Sequence, residues 1–176
     1  MKSQQSLFRL LIPCAILVIA TGCANTHIDA TSDETESCRR FVQAFYDWYV
    51  PLTKAQTNGT PWGLAVGSKP DLFHPDLIRA LKADADKKVQ AKGELVGLDF
   101  DPFEASQDPA DHYEARKVTL QGNKCLVEIW GSPADTANTG KPDAVAELLR
   151  ENGHWQFLNF RYPVSNTDLL SVLAQP

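Results

Sequence analysis

Apolar residues recur at intervals of three and four positions after residue 33, which is the spacing of one face of an α-helix. Asp33 and Glu36 have the separation of a capping box at the start of such a helix. Pro51 lacks the backbone N–H of a helix interior, so we expect the helix to end there. The predicted buried face consists of Cys38, Phe41, Val42, Phe45, Trp48 and Tyr49.

A second amphipathic helix is predicted from His74-Pro75 to Lys92, with Gly93 as its C-terminal stop. The residues between the two helices, 53–70, are rich in Gly, Pro and Thr, which predicts a long loop. The first half of the domain is therefore expected to be helical.

The second half of the chain has the signals of β-hairpins. Residues 118–120 and 125–130 are two β-compatible stretches on either side of a short turn. Residues 144–150 and 154–162 flank Asn152-Gly153, a dipeptide typical of tight hairpin turns. We expect an antiparallel sheet that follows the helices.

The last of these strands has apolar side chains on both faces, since Trp155 and Phe157 alternate with Leu158, Phe160 and Tyr162. This pattern predicts a central strand that is covered on both sides. A short helical turn is expected over residues 167–174, and the chain shows no internal repeat.

The chain begins with a cationic stretch that contains Lys2 and Arg9, followed by an apolar run over residues 10–20. This run has the length of a signal-peptide core and is too short for a stable membrane span. It leads into Ala20-Thr21-Gly22-Cys23, which resembles the lipobox of bacterial lipoproteins. In that family the cysteine receives the lipid, so Cys23 is the expected anchor. An ordinary secretory signal or a retained short anchor is the alternative.

These features divide the chain into three parts. Residues 1–22 are expected to be a lipoprotein signal peptide. Residues 23–32 are expected to be the lipidated N-terminus and a flexible tether, because they are polar and without periodicity. Residues 33–176 are expected to form one α+β domain.

The net charge of the chain limits the classes of partner that it is expected to bind. Its 176 residues have a formal net charge of −5, and the predicted signal peptide contains basic but no acidic residues, so the exported part is more acidic still. This charge argues against nucleic acid and gives no attraction to anionic lipid. Membrane attachment is therefore expected to depend on the acyl chains at Cys23.

Cys38 and Cys125 are the two cysteines outside the predicted signal peptide and lipidation site. In an oxidising envelope compartment, such a pair is expected to form a disulfide, because neither lies in a Cys-x-x-Cys motif of a redox or metal site. Two separate buried thiols are the alternative.

Residues 99–112 hold a cluster of carboxylates, the side chains that calcium prefers. Phe103 and Ala110 fall where a calcium loop needs oxygen ligands, so a surface loop capped by Asp and Pro is the preferred interpretation. The histidines show no zinc spacing and are expected to be caps or turn residues. They are His27, His74, His112 and His154. We predict no metal, no cofactor and no catalytic residue.

Aromatic residues on the first helix and on the strands are the remaining signal. They are expected to form the core, and the alternative is an apolar ligand pocket between helix and sheet. The pocket would be lined by Phe41, Phe45, Trp48, Trp130, Trp155 and Phe157. Asp47 is the acid to consider if that pocket were catalytic, although its helical phase places it toward water.

Three motifs resemble a bacterial family of unknown function that is found largely in exported proteins, including envelope lipoproteins of the YbjP type. They are the stretch from Cys38 to Tyr49, the segment 98–109 with its two Asp-Pro pairs, and Gly153-His154-Trp155 with the strand that follows. The resemblance implies a cystatin-like fold of the nuclear-transport-factor-2 superfamily, in which helices pack on a curved antiparallel sheet. It implies no chemistry, because this fold serves enzymes, binders and scaffolds alike.

The expected function is a non-enzymatic, lipid-anchored envelope protein whose domain binds a protein partner or a small apolar ligand. An immunity-type lipoprotein that blocks a periplasmic toxin, and an enzyme that uses a cone-shaped pocket, are the alternatives. Ala24 follows Cys23 in place of the Asp that would signal inner-membrane retention, so the expected location is the outer membrane, facing the periplasm.

Overall fold

A computed structural model of the protein describes residues 30–55, 58–91, 96–132 and 140–175. Within these ranges helices precede a five-stranded antiparallel sheet, so the predicted α+β class is confirmed. The helices are α1 (Ala30–Lys54), α2 (Pro61–Ser68), α3 (Pro75–Gln90) and α4 (Leu169–Leu173), with a 3₁₀ turn at Pro70–Leu72. The strands, adjacent in chain order, are β1 (His112–Gln121), β2 (Lys124–Ser132), β3 (Ala144–Glu151), β4 (His154–Tyr162) and β5 (Thr167–Asp168).

Helix α1 is longer at both ends than the sequence predicted. Residues 30–32, which were expected in the tether, are helical, so Asp33 lies inside the first turn rather than at a cap. Glu36 does not complete a capping box, because its carboxylate pairs with an arginine one turn later at 2.7 Å. Pro51 does not end the helix: its missing N–H falls close to the C-terminus, and Leu52 beyond it packs against the core.

Helix α2 lies in the segment that was predicted to be a loop. Thr60 is its N-cap and accepts a hydrogen bond from the Gly63 N–H at 3.2 Å, and Pro61 occupies the first turn. These are ordinary helix-start signals, but Gly63 and Gly67 lower the helix propensity of so short a segment. Burial of Trp62 against the core stabilises the helix, which is why the loop prediction was wrong.

Helix α3 and the turns of both hairpins agree with the predictions, although β1 begins at His112, before the predicted stretch 118–120. The imidazole Nδ1 of His74 caps α3 by accepting the Asp76 N–H at 3.3 Å, while the expected stop at Gly93 lies outside the described residues. In the β3–β4 turn, Asn152 and Gly153 have φ values of +50° and +83°. A two-residue hairpin turn needs this left-handed backbone at both positions. The predicted helical turn near the C-terminus is α4.

Strand β4 differs from its predicted pattern of exposure. Its pairing with β3 shifts register between Glu147 and Leu148, so Leu158 is an extra residue in β4. The buried side chains of β4 are Trp155, Phe157, Phe160 and Tyr162. Arg161 is exposed, and the expectation of a strand covered on both sides is therefore wrong.

Helix α1 is fixed to the sheet by a polar side chain as well as by apolar contacts. The Gln43 amide donates to the Tyr113 carbonyl at 3.0 Å and accepts the Ala115 N–H at 2.9 Å. The side chain thereby satisfies two backbone groups of β1. The core lies between the helices and the sheet.

Candidate functional site

Aromatic rings fill the space between the helices and the sheet. Phe45 lies among them, with its ring centroid 4.8 Å from that of Phe157, 5.1 Å from Tyr49 and 5.6 Å from Phe103. Each of these four side chains is buried. At this position the interior is packed by the protein's own side chains rather than open.

The residues predicted to line an apolar pocket take different positions. Three of them lie in the aromatic cluster, where the rings of Phe41 and Phe45 each contact that of Phe157. Trp48 lies at the edge of the cluster, with the Lys69 ammonium 4.1 Å from its ring centroid. Trp155 is buried on β4, whereas Trp130 alternates with the buried residues of β2 and therefore lies on the other face of the sheet. The clefts described below are lined by other residues.

A disulfide joins Cys38 of α1 to Cys125 of β2, as the sequence predicted. Both half-cystines are 0% exposed. The bond connects the first helix to the sheet across 87 positions of the chain. The alternative of two separate thiols is therefore excluded, while Cys14 and Cys23 lie outside the described residues.

The centre of the acidic segment, residues 99–112, is buried, contrary to the expectation of a surface loop. Asp101 forms its turn: one carboxylate oxygen accepts the N–H groups of Phe103 at 3.0 Å and Glu104 at 3.2 Å. The other oxygen accepts the Tyr49 hydroxyl at 2.5 Å. Burial raises the pKa of Asp101, and these three hydrogen bonds oppose the rise.

Two tyrosine hydroxyls hold the same turn from the helix and from the sheet. Tyr46 of α1 donates to the Phe103 carbonyl, and Tyr162 of β4 donates to the Pro102 carbonyl at 2.9 Å. Burial raises the pKa of both tyrosines, so their hydroxyls stay protonated and act as donors. The turn is therefore a fixed part of the core.

The backbone just before this segment lies close to α3. Gly97 has a φ of +76°, and a Cβ at this position would lie 2.6 Å from an Asp84 carboxylate oxygen. That carboxylate, on α3, accepts the Leu98 N–H at 3.2 Å. Glycine is required here both by the backbone and by the close approach of α3.

Glu104 lies at the end of the turn and is 1% exposed. Neither of its carboxylate oxygens has a hydrogen-bond partner among the residues that the structure describes. Burial, followed by the charge of Asp101, raises the pKa of Glu104 to about 8, and the nearby Lys54 and Thr53 oppose the rise. Both are engaged elsewhere, since Lys54 pairs with Asp111 at 2.7 Å and Thr53 donates to a backbone carbonyl of α1.

Glu104 forms part of a cleft of about 590 Å³ between α1, α2, α3 and the acidic segment. We call it the Glu104 cleft, and its lining includes Trp62, Lys88, Asp99, Phe100, Asp101 and Glu104. Asp99 accepts the Gln107 amide at 3.2 Å, and Asp101 is bonded as described above. Of these three carboxylates, that of Glu104 is the one without a donor in the described part of the chain.

A second cleft, of about 710 Å³, lies between the acidic segment and the ends of β2, β3 and β4. Two of its charged groups are used within the protein: the Asp143 carboxylate accepts the Gly131 N–H at 2.6 Å, and the Lys141 ammonium donates to the Pro163 carbonyl at 3.1 Å. Tyr113 and Tyr162 in its wall also have backbone partners. This cleft offers a less distinctive site than the Glu104 cleft.

The other polar residues considered from the sequence lie apart from both sites of interest. Asp47 is exposed and accepts the Gln43 amide at 2.8 Å. His112 and His154 are exposed at the starts of β1 and β4, and His27 lies outside the described residues. Across the described ranges, no group of three or more His, Cys, Asp or Glu side chains is placed to hold a metal ion.

The sequence indicated the acidic segment but not the burial of Glu104. The available signal was local: Glu104 stands between the apolar residues Phe103 and Ala105. The decisive factor is the packing of α1 on this segment, which no local pattern specifies.

No family model matches this chain, and no solved structure matches it. Among the described residues, no helix combines the length and the apolar character needed to cross a membrane.

Proposed function

We propose that the protein is a bacterial envelope lipoprotein, anchored through Cys23 to the outer membrane and facing the periplasm, whose domain is a non-enzymatic binding module. The disulfide between Cys38 and Cys125 is the observation that supports export of the domain. Bonds of this kind persist in oxidising compartments and are rare in the cytosol. The lipobox-like sequence that ends at Cys23 supplies the anchor.

The domain is proposed to have a cystatin-like fold of the nuclear-transport-factor-2 type. Helices followed by an antiparallel sheet are compatible with this fold, and the motifs from Cys38 to Tyr49 and after Gly153 resemble the family of exported proteins. Because aromatic rings occupy the interior around Phe45, binding is proposed to occur at surface clefts rather than inside the domain.

Replacement of Cys23 by serine is expected to abolish lipid attachment and release the protein from the outer membrane. The change removes the thiol that would carry the diacylglyceryl group. The unlipidated chain is then either released or left uncleaved with its signal peptide. Incorporation of labelled palmitate, together with separation of inner and outer membranes from a bacterial host, measures both effects.

The matched control is Cys14→Ser, which changes a cysteine within the predicted signal peptide. This variant should be labelled and localised like the wild type. Palmitate labelling that persists in Cys23→Ser, or is lost in Cys14→Ser, would contradict the assignment of the anchor.

A further inference from the structure

The buried acidic side chains differ in whether the protein supplies them with donors. In the described ranges these side chains are Asp84, Glu104 and Glu147. Asp84 accepts a backbone N–H, and Glu147 accepts the Lys124 ammonium at 2.8 Å and the Arg161 guanidinium at 2.7 Å. Glu104 is the exception, since neither of its oxygens has a partner in the part of the chain that the structure describes. A buried polar group without a partner is costly, so this group needs an explanation.

The residues around Glu104 indicate the chemical class of a donor that would bind its carboxylate. The Glu104 cleft combines this carboxylate with the apolar surfaces of Trp62 and Phe100. Charge-assisted hydrogen bonds from a cation to a carboxylate are about twice as strong as neutral ones. Aromatic and apolar walls favour a carbon chain attached to that cation.

A divalent metal fits these residues less well than an organic cation. Calcium takes six to eight oxygen ligands, whereas Asp101 already uses both of its oxygens on Phe103, Glu104 and Tyr49. A primary ammonium group needs a single carboxylate, and its carbon chain can cover the apolar wall.

We propose that the Glu104 cleft binds an alkylammonium group: the buried Glu104 side chain turns toward the cleft so that its carboxylate accepts from the nitrogen, while the carbon chain packs against Trp62 and Phe100. This inference deepens the proposed function, because it names the ligand class of a surface site. It rests on the proposal that the domain is a binding module. The ammonium group belongs either to a free alkylamine or to a lysine side chain of a protein partner.

Binding is coupled to a proton. Glu104 is mostly protonated at neutral pH, so its proton passes to solvent when the ammonium group enters and the carboxylate forms. Affinity should therefore rise about tenfold per pH unit below the pKa of Glu104. Other titratable groups surround Glu104 on each element packed against it. They are Asp99 and Asp101 in the acidic segment, Tyr46, Tyr49 and Lys54 of α1, Lys88 of α3 and Tyr113 of β1. Burial raises the pKa of each of these tyrosines, so they remain protonated in this range.

The test is a titration of the full chain, purified from membranes in a non-ionic detergent, with butylammonium. Saturable shifts of the Trp62 indole N–H resonance report occupation of the cleft. We expect saturation with butylammonium and none with 1-butanol, which has the same carbon chain and no charge. Affinity should increase about tenfold from about pH 6 to about pH 7.

Two variants separate the role of Glu104 from the general acidity of the cleft. Glu104→Gln keeps the shape of the side chain and should weaken binding about tenfold or more, the effect of losing a charge-assisted hydrogen bond. Asp99→Asn removes an exposed carboxylate from the same cleft and should change binding by about twofold or less. Circular dichroism of both variants establishes that they fold.

Capped lysine and capped norleucine, added as N-acetyl N-methylamides, distinguish the two sources of the ammonium group. Binding of capped lysine but not of capped norleucine indicates a protein partner, and binding of butylammonium alone indicates a free amine. The inference is overturned if Glu104→Gln binds butylammonium like the wild type, if 1-butanol binds equally well, or if no probe gives a saturable shift.

Mass analysis of the same preparation separates this inference from the proposed anchor. A lipidated chain that does not bind butylammonium overturns the inference and leaves the anchor in place. A chain that binds butylammonium but carries no lipid on Cys23 overturns the anchor and leaves the inference.

Discussion

Replacing Cys38 and Cys125 together by alanine is expected to lower the free energy of unfolding by about 4–5 kcal/mol. The disulfide joins positions 87 residues apart, so it restricts a large part of the unfolded chain and removes much of its conformational entropy. Both half-cystines are 0% exposed, so a small loss of packing adds to the effect. Urea unfolding under oxidising conditions measures the difference.

Reductant provides the control for this prediction. It should move the unfolding midpoint of the wild type close to that of the double variant and leave the double variant unchanged. Equal midpoints for wild type and variant in oxidising buffer would show that the Cys38–Cys125 bond does not contribute to stability.

Replacing Glu104 by glutamine is expected to stabilise the protein at neutral and mildly alkaline pH. The pKa of Glu104 is about 8 in the folded protein, against an ordinary value of 4.5. Between these values the folded state binds a proton that the unfolded state has lost, so stability falls as pH rises, by about 1.4 kcal/mol per pH unit. The stabilising contribution of this group is complete below about pH 4.5 and is lost by about pH 8.

Glutamine does not ionise, so the stability of the Glu104→Gln variant should lack this part of the pH dependence. The difference between variant and wild type should grow with pH, to on the order of 4 kcal/mol near pH 8. Chemical unfolding at a series of pH values measures it, with Asp99→Asn as the control that keeps the wild-type profile. Parallel profiles for Glu104→Gln and wild type would mean that Glu104 ionises as readily as an exposed glutamate.

The sequence was sufficient for elements whose buried face follows a simple period. The face from Cys38 to Tyr49 identified α1, and Asn152-Gly153 identified the turn between β3 and β4. Periodicity failed where tertiary contacts decide the outcome. Helix α2 depends on the burial of Trp62, and the faces of β4 depend on the extra residue Leu158.

The candidate site was predictable only in its composition. Cys38 and Cys125 were paired correctly because the predicted signal peptide and anchor account for the other cysteines. The carboxylates of Asp101 and Glu104 were noted, but their burial depends on residues more than fifty positions away, such as Tyr46 and Tyr49 of α1. Long-range packing of this kind leaves no local pattern.

The intact mass of the protein extracted from the outer membrane of a bacterial host tests both the export and the lipid anchor of the domain. We expect a chain that begins at Cys23, carries a diacylglyceryl group and an N-terminal acyl chain, and lacks the two thiol hydrogens of Cys38 and Cys125. Reduction should restore those hydrogens and leave the lipid in place. A chain that still contains residues 1–22, or one that carries no lipid, would contradict the proposal of an exported, lipid-anchored binding domain.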